Sequence, residues 1–340
     1  MAEQRATLID GFLAKAGWAG AVRTSLAGDA SARRYLRLAR GGDHAVLMDA
    51  DLALGESVNR FVQVGEWLAE QGYSAPRLLA ADAESGFLLL EDLGDDLIAR
   101  LVAAEPDREL ALYQSVTAFL TDLHQRPAPD FLAVAGGAAL GDLAARIADW
   151  YLPALDAQPT EAARGIGAEI TRLYDRLSDG RLAVSLRDFH AENLIWLPDR
   201  SGPARVGLLD FQDAFVTHPA YDLVSLCQDA RREVSEATEA ACIAAYVRAN
   251  GLEQARFEAI YALLGTQRAL RIIAVFARLC LRSGKAHYVD YMPRVWTGLT
   301  RNLRHPELAT LARLVGDGLP PPTTPALRRI KERCGTRPDL

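Results

Sequence analysis

The segment Ser185-Leu186-Arg187-Asp188-Phe189-His190-Ala191-Glu192-Asn193 places a carboxylate and an amide five residues apart. A second carboxylate, Asp210, follows Asn193 by seventeen residues, at the end of the apolar run VGLL. Phosphoryl transfer from a nucleoside triphosphate calls for this set of groups. One carboxylate accepts or orients the proton of an attacking hydroxyl; a second carboxylate and an amide oxygen hold Mg²⁺ against the β- and γ-phosphates. Magnesium is a hard cation that takes oxygen ligands, so Asp and Asn are the right residue types. On this reading Asp188 is the catalytic base, and Asn193 and Asp210 are the metal ligands. D-x-x-x-x-N alone is an ordinary loop cap or Asx turn. The aspartate behind an apolar strand at this distance is the stronger constraint.

Such residues need two short strands to carry them and a larger frame around those strands. LAVSL (182–186) and VGLLDF (206–211) supply the strands, separated by the loop DFHAENLIWLPDRSGPA. Upstream, residues 3–17 have helical periodicity ending at Gly17, and 21–26, 32–39 and 44–49 read as strands. Gly28-Asp29-Ala30-Ser31 and Gly41-Gly42-Asp43 are the turns between them. A helix is expected over 56–71, a buried strand at Phe87-Leu88-Leu89-Leu90, and an acidic turn over EDLGDD (91–96). From residue 98 onward the pattern is mostly helical: 108–124, 142–156, 161–178, 219–230, 236–250, 255–283 and 291–303. The expected architecture is α+β. A small sheet-rich half (1–92) joins a large helical half (98–317) through a hinge (93–97), and a proline-rich tail (318–340) follows.

Composition narrows the partners. With Lys+Arg at 38 and Asp+Glu at 44, the net charge is −6. A nucleic-acid backbone is therefore a poor partner. No apolar run approaches the ~18 residues of a membrane span. The acidic residues near the N-terminus do not resemble a signal peptide, so a cytoplasmic location is expected. The four cysteines form no CxxC pair, which speaks against a zinc ribbon or redox motif. Neither G-x-x-x-x-G-K-[ST], H-E-x-x-H nor G-x-S-x-G occurs.

The chain resembles the aminoglycoside/choline-type phosphotransferases, whose fold is the protein-kinase-like one of two lobes, a small antiparallel-sheet N-lobe and a large helical C-lobe. The resemblance covers nearly the whole length. GDASARRYLRL is similar to the family's nucleotide loop, FLLLEDLGD to its hinge, SLRDFHAENL to its catalytic loop and LLDFQDA to its metal-binding turn. The resemblance implies ATP and Mg²⁺ as cofactors. It gives Gly28 and Ser31 to the nucleotide loop, Glu91 and Leu93 to the hinge that meets adenine, and Asp222 of PAYDLVSL to bracing the catalytic loop. Asp222 also reads as an acidic residue at a helix start. The run RALRIIAVFARLCLRSGKAHYVDYMPRVW resembles a narrower group, the anomeric amino-sugar kinases of bacterial cell-wall recycling. That likeness implies a small sugar as acceptor, N-acetylmuramate or N-acetylglucosamine. Another hydroxyl acceptor, such as an aminoglycoside or choline, and an ATP-binding pseudokinase stand as alternatives.

The third strand reads Ala45-Val46-Leu47-Met48, with Met48 where the family carries a phosphate-binding lysine. The chain holds only Lys15, Lys285 and Lys331. An arginine, Arg33 or Arg34, is expected to take the task, because its fork grips two phosphate oxygens. Strand alternation puts the two on opposite faces, so only one can serve. Around the acceptor, His190, Asp213, Arg231 and Arg271 are the candidate contacts, each weighed against a loop-packing, turn or surface role.

Overall fold

The structure is a computed structural model that describes residues 2–26, 33–52 and 58–337. The chain forms two compact units. The first takes residues 1–104 together with 192–214; the second takes 105–191 together with 215–340.

In the first unit, helix α1 (Ala2–Lys15) precedes five strands, β1 (Val22–Leu26), β2 (Arg34–Arg40), β3 (Asp43–Asp49), β4 (Leu78–Asp82) and β5 (Phe87–Glu91). They form one antiparallel sheet in the order β1-β2-β3-β5-β4. Gly41 and Gly42 both adopt positive φ, 57° and 94°. A two-residue hairpin turn needs that backbone to match the strand twist. One sheet face (Leu36, Leu38, Ala45, Leu47, Phe87, Leu89) packs on Ile9, Phe12 and Leu13 of α1. That apolar contact fixes the register, since a one-residue slip would turn the set outward. Helix α2 (Asn59–Glu70) buries Phe61, Val64, Trp67 and Leu68, and helix α3 (Ile98–Ala104) follows the acidic turn.

This unit also takes in 192–214, a segment within the 98–317 stretch expected to be helical. Leu194–Trp196 and Val206–Leu208 pair as a two-stranded hairpin and attach to it through backbone bonds. Trp196 N–H donates to the Asp96 carbonyl at 2.8 Å, and Leu208 N–H to the Ser74 carbonyl at 2.9 Å. Ala183–Ser185, within the expected strand at 182–186, pairs with Phe215–Thr217. Three-residue strands are too short for periodicity to reveal them.

The second unit is helical: α4 (Glu109–Leu123), α5 (Gly137–Ala145), α6 (Ile147–Ala154), α7 (Glu161–Leu177), α8 (Ala220–Cys227), α9 (Glu236–Asn250), α10 (Gln254–Ser283), α11 (Met292–Asn302), α12 (Ala309–Gly318) and α13 (Thr324–Glu332). The expected single helix over 142–156 is two, α5 and α6, divided at Arg146. Helix α10 is the spine, packed by α5, α6, α8 and α11. Its length and apolar composition would suit a membrane span, yet 89% of its most apolar window is buried within the protein. It is a core helix. The tail is not a separate segment. The Pro320 carbonyl accepts the Tyr151 hydroxyl at 2.8 Å, and Gly335 N–H reaches the Cys280 carbonyl at the end of α10 at 2.9 Å.

Helices α5 and α7 cross at glycines. A Cβ on Gly141 would stand 2.5 Å from the Gly167 carbonyl oxygen, and one on Gly167 would stand 2.9 Å from the Gly141 carbonyl oxygen. The obstacle is backbone, which cannot swing aside. Gly141→Ala is therefore expected to destabilise the protein by about 1–3 kcal/mol, the usual scale for overpacking. Chemical denaturation checks this; an unchanged midpoint would show that the two helices can separate freely.

Candidate active site

The loop that carries Asp188 begins where the strand Ala183–Ser185 ends. Arg187 takes a positive φ of 71°, one of three non-glycine residues among those described to do so; Asp210 is another, at 55°. Left-handed backbone at a bulky residue is unfavourable and persists only where the surroundings impose it. Here Asp222, fully buried at the start of α8, imposes it. Its carboxylate accepts from Ser185 Oγ at 2.6 Å, Leu186 N at 2.6 Å and Arg187 N at 3.2 Å. The opposite side is closed by Arg268 of α10. Its guanidinium donates to the Arg187 carbonyl at 2.9 Å and to Ser225 Oγ at 2.5 Å, and lies 4.6 Å from the Tyr221 ring centroid. Phe189 stacks on Phe119 at 5.7 Å and anchors the outgoing chain.

Asp188 is thereby held at the tip of a clamped turn. Burial opposes its ionisation, but the charges of Arg271, Arg268 and Arg187 outweigh burial and hold its carboxyl below the ordinary range. A general base must be ionised to work, and this environment keeps it so. Arg271 also donates to the Tyr221 hydroxyl at 3.3 Å. His190 is buried, with Nε2 3.2 Å from the Arg231 guanidinium. Because arginine can only donate, that nitrogen carries the lone pair and the proton lies on Nδ1.

Asn193 and Asp210 are built in the first unit. The hairpin that follows Asn193 brings Leu209 N–H to the Asn193 carbonyl at 2.9 Å, so the two candidate ligands occupy neighbouring positions at its end. Gln212 Nε2 donates to Asp210 Oδ1 at 2.7 Å. Phe211, fully buried, packs tilted at 33° with its ring centroid 4.7 Å from that of Phe61 of α2, where Gly65 leaves room for its ring. Asp213 is exposed. No group of three or more His, Cys, Asp or Glu able to cage a metal occurs among the described residues. One carboxylate and one amide suit a magnesium ion that takes its remaining oxygens from phosphates and water.

At the hinge, Glu91 is committed through both oxygens, to Arg200 at 2.8 Å and Arg77 at 3.2 Å, and its N–H goes to the Arg77 carbonyl. Leu93 is buried. Gly28 and Ser31 lie outside the described residues. Met48 is fully buried and pairs with Tyr35 across the strands. Arg34 lies opposite Asp49, on the α1 face of the sheet, and is bound to it at 2.5 Å; Arg5 of α1 holds the other oxygen at 2.6 Å. Arg34 is thus turned to the face opposite Met48. Arg37 shares the Met48 face but is tied to Asp92 at 2.7 Å and Asp95 at 2.5 Å. Reading the sequence missed the latch formed by Arg268, Ser185 and Ser225. Ser225 lies one helical turn beyond Asp222, a spacing that would have signalled a shared face.

Residues 22–260 match the phosphotransferase enzyme family. The chain is 40% identical to the N-acetylmuramate/N-acetylglucosamine kinase of Caulobacter vibrioides, over 88% of this chain and 93% of that protein. It is 32% identical to the enzyme of the same name from Pseudomonas putida, over 86% and 87%. Among solved structures it is similar to the GDP complex of an aminoglycoside 2'-phosphotransferase-IIIa mutant, with a TM-score of 0.62 and 14% identity over 90% of this chain and 99% of that one. That likeness establishes the kinase-like fold.

Burial pushes the Asp222 carboxyl up to about 6, although the bonds from Ser185, Leu186 and Arg187 pull it down. In the unfolded chain the same group titrates near ~3.9. The folded state therefore holds this proton where the unfolded chain has lost it. Stability from this group is full below about pH 4 and declines, by on the order of 2–3 kcal/mol, as pH rises through about 6. Activity runs the other way, because only the carboxylate accepts from all three donors. The expected outcome is a kcat that falls as pH drops through about 6, while this carboxyl's contribution to stability grows. Asp222→Asn should remove that contribution to the pH dependence of stability. Parallel kcat and melting profiles from pH 5 to 8 check both, and an acid limb centred well below pH 5 would contradict the assignment.

Proposed function

The chain belongs to the phosphotransferase enzyme family, and on that premise we propose that it is an ATP-dependent sugar kinase acting on the anomeric hydroxyl of N-acetylmuramate or N-acetylglucosamine. The observation that carries the chemistry is Asp188, kept ionised by surrounding arginines at the tip of a turn clamped by Asp222 and Arg268. The acceptor follows from relatives of that name that align over most of both chains.

Asp188 takes the proton of the sugar C1 hydroxyl as its oxygen attacks the γ-phosphorus. The new O–P bond forms while the bond from that phosphorus to the bridging oxygen breaks, and ADP departs. Asn193 and Asp210 would hold Mg²⁺, whose charge offsets part of the triphosphate's. Leu93, buried in the hinge, has no partner for its N–H among the described residues and supplies a donor for adenine. Arg271 and His190, beside the base, bound the acceptor side.

The cation for the α/β-phosphates is Arg33 on this reading. It directly precedes β2, and alternation carries it onto the Met48 face, whereas Arg34 is bound to Asp49. Arg33→Ala should raise the KM for ATP and lower kcat, with little change in sugar KM. Arg34→Ala should alter melting temperature instead. Equal ATP kinetics in wild type and Arg33→Ala would move the cation elsewhere.

Asp188→Asn keeps the shape and removes the base, so kcat should fall by at least ~10² while nucleotide binding persists. The wild-type product should be an acid-labile sugar 1-phosphate lacking a reducing end. Phosphorus NMR showing the phosphate at C3 or C6 would reject the anomeric assignment. Turnover of kanamycin or choline in preference to either amino sugar would reject the acceptor.

A further inference from the structure

The second unit contains a cavity of about 360 Å³ among α8, α10 and α11 and the segment that follows α8. This is within the ~300–1,000 Å³ usual for small-ligand pockets. Its floor is polar and already satisfied. Gln228 and Asn302 exchange hydrogen bonds of 2.8 and 3.1 Å, and Gln228 also donates to Glu239 at 2.9 Å. Gly265 lets α10 approach this pair: a Cβ there would collide with the Asn302 amide and meet Gln228 Oε1 at 2.7 Å.

The charged side chains on the wall sort by what already holds them. Arg232 donates to the Tyr113 hydroxyl at 2.5 Å, Arg301 pairs with Glu239 at 2.6 Å, and Arg268 is spent on the catalytic turn. Arg294 is exposed on α11 and has no ion-pair partner among the described residues. Asp229 is only 6% exposed. Its Oδ1 accepts the Arg231 N–H at 2.8 Å, while its Oδ2 is buried with no partner among the described residues. A buried carboxylate oxygen left unmatched is costly. A ligand hydroxyl or amide N–H would satisfy it.

Two links join this wall to the catalytic loop. Arg268 lines the cavity and bonds the carbonyl of Arg187, the residue before the base. Arg231, whose N–H caps Asp229, reaches His190, two residues after the base. An occupant of the cavity therefore lies next to the groups that position Asp188.

We propose that this cavity is the subsite for the part of the acceptor remote from its reacting hydroxyl, with Asp229 taking its hydroxyl or amide hydrogens and Arg294 its carboxylate. The inference rests on the amino-sugar kinase reading and adds to it the residues that tell the sugars apart. N-acetylmuramate carries a carboxylate and N-acetylglucosamine does not, so Arg294 serves only the acidic sugar.

The test measures steady-state kinetics of wild type, Asp229→Asn and Arg294→Ala on both sugars. Asparagine keeps an oxygen for the Arg231 N–H and puts an NH₂ group where the spare oxygen was. Asp229→Asn should raise the KM for both sugars about tenfold or more while the KM for ATP moves less than about twofold, since a lost hydrogen bond to a charged group is worth about a decade. Arg294→Ala, at an exposed position, should lower the ratio of kcat/KM for N-acetylmuramate over N-acetylglucosamine about tenfold. If wild type turns over the sugars and both variants keep its acceptor KM values and its selectivity, the cavity assignment is wrong and the kinase reading stands. An ATP KM that rises in step with the sugar KM in Asp229→Asn also overturns it, because that pattern marks general damage to the loop. Wild type inactive on both sugars removes the kinase reading and the subsite together.

Discussion

Everything at the base of this site depends on one buried carboxylate. Asp222 has no exposure, and it spends both oxygens on a single turn, accepting from Ser185, Leu186 and Arg187. Charge of that kind is expensive to bury unless each lone pair is used. The donors come from residues just before Asp188, so satisfying Asp222 and aiming Asp188 are the same event. The positive φ of Arg187 is the backbone cost of that event. Arg268 removes the residual problem by taking the Arg187 carbonyl, which the turn leaves facing α10.

Arginine rather than lysine is what makes the arrangement possible. Arg268 reaches a carbonyl and a hydroxyl with separate nitrogens while its plane lies over Tyr221. A lysine would offer a point charge and lose the fork and the stacking face. The same preference appears in the first unit, where Asp49 is gripped by Arg5 from α1 and Arg34 from β2. That pair of contacts ties helix to sheet at the end of β3. It also removes Arg34 from the list of groups able to meet a phosphate.

Legibility in the sequence followed the length scale of the interaction. Asp188, Asn193, Asp210 and Asp222 lie in local motifs, and the strands from β1 to β3 and most of the long helices could be read because their apolar periodicity extends over many residues. The strands at 194–196 and 215–217 could not, because three residues carry no period. Missing them hid the pairing of 183–185 with 215–217 and the recruitment of 192–214 into the first unit. The brace formed by Arg268 was not legible, since the residue read as a contact for an anionic substituent or as a surface charge. Its role depends on Ser225 and Arg187, which are distant in sequence and come together only through α8 and α10. The choice between Arg33 and Arg34 needed a register, and β2–β3 pairing supplies it for Arg34 by placing it opposite Asp49.

The placement of charge in the second unit has a common logic. On the proposed reading Asp188 acts ionised, and the charges of Arg271, Arg268 and Arg187 favour that form against burial. Arg268 is held by Ser225 and a carbonyl, and Arg271 donates to the Tyr221 hydroxyl. Neutral acceptors fix a guanidinium without cancelling its field. At the cavity, Arg268 is a lining residue, and the Arg231 N–H donates to Asp229 of the wall. Arg268 therefore belongs both to the charges near Asp188 and to the side chains that line the cavity.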